Sequence, residues 1–219
     1  MKRLAMMILA LVVCTGMPAF AAPSIEFSPN PDTGGSWSYD GAGTLSFNQY
    51  ITVDRGLSSN ADALVGALVF VPTLTVTKVP CGPYSLKPLG SPAITIRDAE
   101  DGTIYLKGTL GKGDLVPVGT VGAAYTSFTT DLTNVYVTSA GKALGSAVLS
   151  AIVNSGTATL DFELSLQGGS GTNYHSLTEM LANGYAGGNG FSGAMSIPEP
   201  ATIALLSLGS LALLRKRRA

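Results

Sequence analysis

Apolar and polar residues alternate regularly in one segment of this chain, and this pattern restricts the possible folds more than any other feature of the sequence. Over residues 159–166, every second side chain is a large hydrophobic one and most of those between are polar or charged. Successive side chains of a β-strand point to opposite faces, so this period of two predicts a strand with one buried face and one wet face. The segment therefore indicates a sheet that covers a core on one side.

Shorter runs of the same kind recur along the chain between turn residues. Further strands are predicted within residues 45–53, 73–77, 94–96, 104–106, 125–130, 135–138, 147–153 and 191–196. The two runs around Asp98 to Gly102 read as a hairpin, and a capping-box spacing from Ser176 to Glu179 predicts a short helix. With 27 glycines and few helix formers, the chain is predicted to be all-β, an antiparallel β-sandwich or jelly roll.

The C-terminal end consists of three consecutive parts. Pro198, Glu199 and Pro200 come first, and an uncharged, mostly apolar run at residues 201–214 follows. The last part is a basic cluster formed by Arg215, Lys216, Arg217 and Arg218. A helix of this run is about 21 Å long against a hydrocarbon core of about 30 Å. We therefore expect a marginal transmembrane helix whose basic end stays cytoplasmic.

This order of parts resembles the PEP-CTERM sorting signal, the substrate tail of exosortases in exopolysaccharide-producing Gram-negative bacteria. The resemblance covers residues 197–219 and leaves the body unrecognised. Tails of this kind are also labelled as the C-terminal domain of ice-binding proteins, although this body shows no regular Thr-x-Thr ladder beyond residues 73–77. The resemblance implies processing by an exosortase, followed by release or attachment at the cell surface or in the extracellular matrix.

Residues 1–21 have the parts of a secretory signal peptide. Lys2 and Arg3 precede an apolar run at residues 4–13. The signal peptidase site is formed by Ala19, Ala21 and Ala22. We therefore expect export by the Sec machinery and removal of this segment. Cys14 leaves a lipoprotein alternative, which the bulky residue before it disfavours.

Removing both ends changes the charge of what remains, a single β-sandwich domain predicted at residues 22–196. Six of the 13 basic residues lie in the terminal segments but only one of the 14 acidic residues does, so the body keeps seven basic and 13 acidic residues. Without clustered cations, the body is not expected to bind nucleic acid. Cys81 is its single cysteine, so no internal disulfide is possible.

Two carboxylates are the strongest catalytic candidates. Asp161 and Glu163 lie two positions apart on one strand face, at about 6.5 to 7 Å, which is compatible with the acid pair of a glycoside hydrolase. The alternative is a solvated strand face. His175 has no second histidine, cysteine or nucleophilic serine motif to work with. We therefore expect no catalytic residue and no enzymatic activity.

Two further sets of residues suggest ligands. Asp98, Glu100 and Asp101 have enough oxygen atoms for a calcium ion, although acid-rich turns are common without a metal. The second set is aromatic. Its members, Trp37, Tyr39 and Tyr50, are candidate contacts for carbohydrate if their rings form an exposed platform, whereas the alternative places Trp37 in the core.

Taken together, the sequence predicts an exported, structural or adhesive protein without a cofactor or a bound metal. Its expected partners are the Sec and signal peptidase machinery, an exosortase, the membrane through the C-terminal helix, and exopolysaccharide as a further candidate. The expected route is transient anchoring in the inner membrane with the body in the periplasm, and then the cell surface or the extracellular space. The alternatives are a carbohydrate-binding module and a glycoside hydrolase that uses Asp161 and Glu163.

Overall fold

The computed structural model of the chain describes residues 23–29, 36–47, 51–57, 59–78, 84–118, 125–167, 175 and 177–198. Within these ranges the chain forms thirteen strands and three helices, and every strand pairing is antiparallel. The predicted all-β class is therefore confirmed.

The strands follow one another along the chain with two of the helices inserted between β11 and β12 and the third between β12 and β13. The strands are β1 (Ser24–Pro29), β2 (Trp37–Tyr39), β3 (Thr44–Phe47), β4 (Ile51–Gly56), β5 (Leu68–Phe70), β6 (Leu74–Lys78), β7 (Tyr84–Pro88), β8 (Ala93–Arg97), β9 (Ile104–Leu110), β10 (Gly113–Val118), β11 (Tyr125–Val137), β12 (Leu160–Gln167) and β13 (Phe191–Ser196). The helices are α1 (Ser139–Ala143), α2 (Ala147–Ser155) and α3 (Leu177–Asn183).

Eight of these strands close into an antiparallel barrel. The order around the ring is β12, β13, β1, β4, β5, β8, β9 and β11, and pairing between β11 and β12 closes it. The other five strands extend from β11 in the order β10, β7, β6, β3 and β2. The sandwich or jelly roll predicted from the sequence is not confirmed, because the ring returns to its first strand.

Strand β11 belongs to the ring and also carries the five-stranded extension, because it is 13 residues long. Its first half pairs with β12 and β10, and its second half pairs with β9. The register shifts between Thr133 and Tyr136, and Asn134 between them has a φ of 53°. This irregularity separates the two runs that the sequence suggested at residues 125–130 and 135–138, although both belong to one strand.

The clearest sequence prediction is confirmed by β12, whose buried and outward side chains alternate along its length. The hairpin around Asp98 to Gly102 is confirmed as β8 and β9, and the last predicted strand is β13. The short helix predicted after Ser176 is present as α3. The sequence patterns were sufficient to predict these elements because each element depends on residues that are close together in the chain.

The strand predicted at residues 147–153 is wrong, since this segment forms helix α2. Ser146 caps the helix by accepting a hydrogen bond from the Leu149 N–H at 3.2 Å, and Gly156 ends it in the left-handed conformation with a φ of 65°. Val148, Leu149 and Ile152 are buried on one helical face. The capping serine and the terminal glycine are the sequence signals that distinguish this apolar run from a strand.

A distant carboxylate also holds α2 in place. Asp62, in the connection between β4 and β5, accepts hydrogen bonds at Oδ2 from the N–H groups of Ala147 at 2.9 Å and Val148 at 3.2 Å. Burial of this carboxyl disfavours its charge, but hydrogen bonds from Ser146, Leu64, Val148 and Ala147 outweigh burial and keep the pKa of Asp62 below its ordinary value. The carboxylate thus supplies a second cap to the positive end of the helix.

The buried core includes the inward side chains of the ring together with residues of the extension and the helices, such as Leu86 and Leu149. Aromatic rings form the part of it beneath β12 and β1. The ring of Phe162 lies 5.9 Å from that of Phe27 and 6.3 Å from that of Phe128, between centroids. Burial of these three rings against one another removes apolar surface from water and stabilises the fold.

Several predictions fall outside the described residues. They concern the signal peptide at residues 1–21, Cys81, Tyr50 and the C-terminal run at residues 201–214 with its basic cluster. Within the part of the chain that the structure does describe, none of the helices combines the length and the apolar character that crossing a membrane requires.

Candidate functional site

The two ends of the described chain meet at one rim of the barrel. Ser24, the first residue of β1, pairs with Ser196, the last residue of β13. Beyond this pair, the N–H of Ile197 donates to the carbonyl oxygen of Pro23 at 3.1 Å. Pro198 therefore follows the last strand of the barrel wall after a single residue, Ile197.

The structure describes only some of the residues that the sequence predicts to act in export and sorting. Pro198 is half-buried, whereas Glu199, Pro200, the basic cluster and the predicted signal peptidase site lie outside the described residues. What the structure adds is the place from which both terminal segments depart. Since β1 and β13 are neighbours in the ring, the two segments start side by side.

The candidate carboxylates Asp161 and Glu163 lie on the outer wall of the barrel, where both are exposed. Asp161 faces Asp131 across the strand pair, and Glu163 accepts a hydrogen bond from the Ser127 hydroxyl at 3.1 Å. Burial, followed by the negative charge of Asp131, raises the pKa of Asp161. Ser196 and Ala194 complete the lining of this shallow hollow. An open outer wall does not enclose a substrate as glycosidase clefts do.

The candidate carbohydrate platform is not formed by Trp37 and Tyr39. Trp37 is fully buried and Tyr39 nearly so. The indole N–H of Trp37 donates to the carbonyl oxygens of Gln167 at 2.9 Å and Gly190 at 3.1 Å. These bonds join β2, at the end of the five-stranded extension, to the barrel. The core alternative for Trp37 is therefore the correct one.

In the acid-rich turn considered for calcium, both carboxylate oxygens of Asp98 accept hydrogen bonds from the protein itself. Asp98 Oδ1 accepts from the N–H groups of Glu100 at 2.8 Å and Asp101 at 3.1 Å, and Oδ2 accepts from the Tyr105 hydroxyl at 2.6 Å. The bond to Asp98 raises the pKa of Tyr105 to about 12. In the described ranges no three metal-binding side chains converge, and the geometry gives the calcium alternative no support.

His175 belongs to a small surface cluster. Its ring lies 4.4 Å from the ring of Tyr185 between centroids, and its Nδ1 is 4.0 Å from Oε2 of Glu179. The imidazole thus lies against an exposed tyrosine, with the two rings tilted by 32°, beside a helix carboxylate. A ring contact of this kind stabilises the connection around α3.

Sequence reasoning missed a segregation of charge around the ring. Strands β12, β13 and β1 carry Asp161, Glu163 and Glu26 and no basic residue. We call their outer surface the acidic face. Strands β5, β8 and β9 with helix α1 carry Arg97, Lys107 and Lys142 and no acidic residue, and we call their outer surface the cationic face. The strands between them are β4 on one side and β11 on the other.

The fold is thus a closed antiparallel barrel with an extension, and the comparisons with known proteins concern only the last residue of β13 and the tail. Residues 196–218 match the family model described as the PEP-CTERM protein-sorting motif. No curated protein and no solved structure matches the chain significantly. The motif supports exosortase-dependent sorting and implies export to the cell envelope and processing by an exosortase.

Proposed function

We propose that this chain is an exported, non-enzymatic surface protein, in which the barrel has a structural or adhesive role and the C-terminal segment directs its handling by an exosortase. The observation that carries the proposal is the PEP-CTERM motif at residues 196–218. After processing, the barrel remains at the cell surface or in the extracellular matrix. A signal peptide at residues 1–21 starts this route, and the apolar run at residues 201–214 holds the chain in the membrane until processing.

The geometry of the two ends supports this order of events. Ser24 and Ser196 pair at one rim, so a barrel held by either terminal segment is held at the same rim. The signal peptide and the C-terminal segment can therefore both reach one membrane without unfolding β1 or β13. The rest of the barrel then projects away from that membrane.

The absence of an enzymatic role is also part of the proposal. Asp161 and Glu163 are exposed on the outer wall, where water competes for every interaction with a substrate. General acid catalysis of glycoside cleavage requires two carboxyl groups arranged around an enclosed bond. The outer wall is better suited to contact with a large surface or polymer.

The test replaces Pro198, Glu199 and Pro200 together by alanine in the full-length chain, expressed with an exosortase. We expect a longer form to stay in the membrane, because the extended segment that the protease reads is lost. Immunoblots of membrane and released fractions measure this. The control is Glu163→Ala, which removes one negative charge from the barrel and leaves the motif intact. Equal processing of the triple variant and the wild-type chain would contradict the proposal.

A further inference from the structure

A row of four outward side chains crosses the cationic face. Cross-strand pairing places Phe70 opposite Thr95, Thr95 opposite Lys107, and Lys107 opposite Tyr136. Three inter-strand spacings separate the two aromatic residues, so their positions are about 14 Å apart along the sheet. Tyr136 is 58% exposed and Phe70 is 37% exposed. Each end of the row therefore presents a ring to solvent, with polar groups between the rings.

Positive charge surrounds the same row. Lys107 is part of it, Lys142 Nζ lies 6.0 Å from the centroid of the Tyr136 ring, and Arg97 follows Thr95 by two positions on the outer side of β8. The strands and the helix of this face contain no Asp or Glu. Three carboxylates, those of Asp98, Glu100 and Asp101, lie beyond Arg97 in the β8–β9 turn. The positive charge is therefore centred on Lys107 and Lys142 beside Tyr136, and this part of the face attracts anions although the body as a whole has more acidic than basic residues.

We propose that this row, Phe70, Thr95, Lys107 and Tyr136, binds an anionic polysaccharide that contains uronic acid residues. Sugar rings stack on the exposed rings of Phe70 and Tyr136, the ammonium groups of Lys107 and Lys142 pair with uronate carboxylates, and the Thr95 hydroxyl bonds to sugar hydroxyls. The inference deepens the adhesive role proposed above and rests on it. It also places the polymer on the side of the barrel away from Asp161 and Glu163, which would repel it.

Other classes of partner fit this face less well. A protein partner is usually held by a contiguous apolar cluster, whereas polar side chains separate these two rings. Anionic lipid is recognised by larger groups of Lys and Arg than the three present here. A single-stranded nucleic acid follows a positively charged groove, and this outer wall of the barrel is convex. Flat sugar rings with widely spaced carboxylates match separate rings and separate cations.

The test titrates the full-length chain in detergent with polygalacturonate and measures affinity by calorimetry at low and high salt. We expect binding that weakens with salt, because exposed charges are screened. Tyr136→Ala should lower the affinity about three- to tenfold, the usual value of an exposed aromatic contact. Lys107→Glu should lower it at least as much, since it replaces attraction by repulsion. Tyr136→Phe should retain binding because it keeps the ring.

The matched controls lie outside the cationic face. Leu89→Ala removes a leucine that is 55% exposed, and Lys87→Ala removes an exposed lysine of β7; neither should change the affinity. Thermal unfolding of each variant checks that the barrel is intact. Should Tyr136→Ala not fold, Lys107→Glu alone decides the outcome, because that side chain is exposed and carries no core packing.

Four results would overturn the inference. The first is equal binding of polygalacturonate and its neutral methyl ester, which removes the role of charge. The second is equal loss of affinity in the face variants and the controls. The third is equally tight binding of oligothymidylate or of detergent micelles that contain phosphatidylserine, with the same sensitivity to Lys107→Glu, which would assign the face to nucleic acid or membrane. The fourth is the absence of polygalacturonate binding by a wild-type chain that is processed normally, and this result contradicts the present inference alone. If the chain binds polygalacturonate but its processing does not depend on the motif, only the sorting proposal is contradicted.

Discussion

The acidic and cationic faces of the barrel rest on the same interior but present opposite chemistry to solvent. On the acidic face, the carboxylates of Asp161 and Glu163 are surrounded by small side chains of β13 such as Ala194. On the cationic face, Lys107 lies between two exposed rings. Each set of strands alternates buried and outward residues in the same way. The fold therefore depends on the inward residues, whereas the outward residues can vary in charge and shape without changing it.

The two faces differ also in how their charges are paired. Asp131 and Asp161, at one edge of the acidic face, stand directly opposite each other, an arrangement of like charges that destabilises a strand pair. The Glu26 carboxylate is 3.9 Å from the Arg55 guanidinium, between Oε2 and Nη1, but Arg55 belongs to β4 at the border of the face. A surface with unrelieved repulsion keeps other anions away, so the cationic face remains the place where an anionic polymer can approach.

The largest effect is expected from filling the glycines beneath the two faces. A Cβ at Gly193, under the acidic face, would lie 2.3 Å from Cζ of Phe27, and a Cβ at Gly108, under the cationic face, would lie 2.5 Å from Cγ of Leu132. We expect Gly193→Val and Gly108→Val each to lower the free energy of unfolding by about 1 to 3 kcal/mol, because the core must shift to accept the added atoms. Urea unfolding measures the loss.

The control for these variants is Ala194→Val, at an outward position next to Gly193 on β13. Added methyl groups there meet solvent, so the free energy of unfolding should change by less than about 0.5 kcal/mol. If only one of the two glycine variants were destabilised, the two faces would not share one tightly packed interior, and the comparison drawn above would fail.

A smaller effect is expected where the ring crosses from β4, beside the acidic face, to β5 in the cationic face. Asp62→Ala removes the acceptor for the N–H groups of Ala147 and Val148 and should cost about 0.5 to 2 kcal/mol at neutral pH. The pKa of Asp62 is lowered on folding, so its contribution is present above the unfolded value of 3.8 and is lost as pH falls through the folded pKa.

Unfolding of Asp62→Ala and of wild type from neutral to acidic pH measures this contribution. The two curves should converge at low pH. Asp54→Ala, which removes an exposed carboxylate of the neighbouring strand β4, is the matched control and should leave stability nearly unchanged. A difference for Asp62→Ala that persists unchanged below the folded pKa would show that the side chain acts by packing and not by its charge.

The smallest effect is expected at the opposed pair of carboxylates, and its pH dependence has the other sign. The pKa of Asp161 is raised by burial and then by Asp131, so its contribution to stability is present below the unfolded value of 3.8 and is lost as pH rises through the folded pKa. Asp161→Asn should therefore stabilise the barrel at neutral pH by about 0.2 to 1 kcal/mol, with no gain at low pH.

Thermal unfolding across this pH range tests the sign, and Glu163→Gln, two positions along the same strand, serves as the comparison variant because its cross-strand neighbours, Thr129 and Ala194, are uncharged. Neither variant should alter hydrolysis of any polysaccharide. A variant less stable than wild type at neutral pH would mean that Asp161 is held by favourable contacts and that the acidic face is not under repulsion.

Much of the local structure could be predicted from the sequence, because it depends on neighbours along the chain. The alternation around Phe162 identified β12, and the acid-rich turn after Arg97 identified the β8–β9 hairpin. The same reasoning failed at α2, where a short apolar run is compatible with strand and helix alike and the capping residue Ser146 decides. Closure of the ring could not be predicted either, since no pattern of neighbouring residues indicates that β11 pairs with both β9 and β12.

The candidate sites also differ in whether their residues are contiguous in the sequence. The Pro-Glu-Pro segment is a contiguous string and is recognised as such, so the sorting motif needed no tertiary information. The aromatic candidates Trp37 and Tyr39 were wrong as an exposed platform, because burial depends on the meeting of β2 with residues 187–190 and not on composition. The row that includes Phe70 and Tyr136 could not be seen, since its members are 66 positions apart in the sequence and join only through strand register.

Four features could be read from the amino-acid sequence alone: the predominance of β-strands, the positions of the most regular strands, the excess of acidic residues in the body and the sorting motif at the C-terminal end. All of these follow from composition, period or contiguous motifs. The tertiary structure was needed to show which strands are neighbours, that eight of them close into a ring, and that the acidic strands β12, β13 and β1 are separated in this ring from the basic strands β8 and β9. Hydrogen-bonded register joins residues that are far apart in the chain, and register is set by the packing of the whole core.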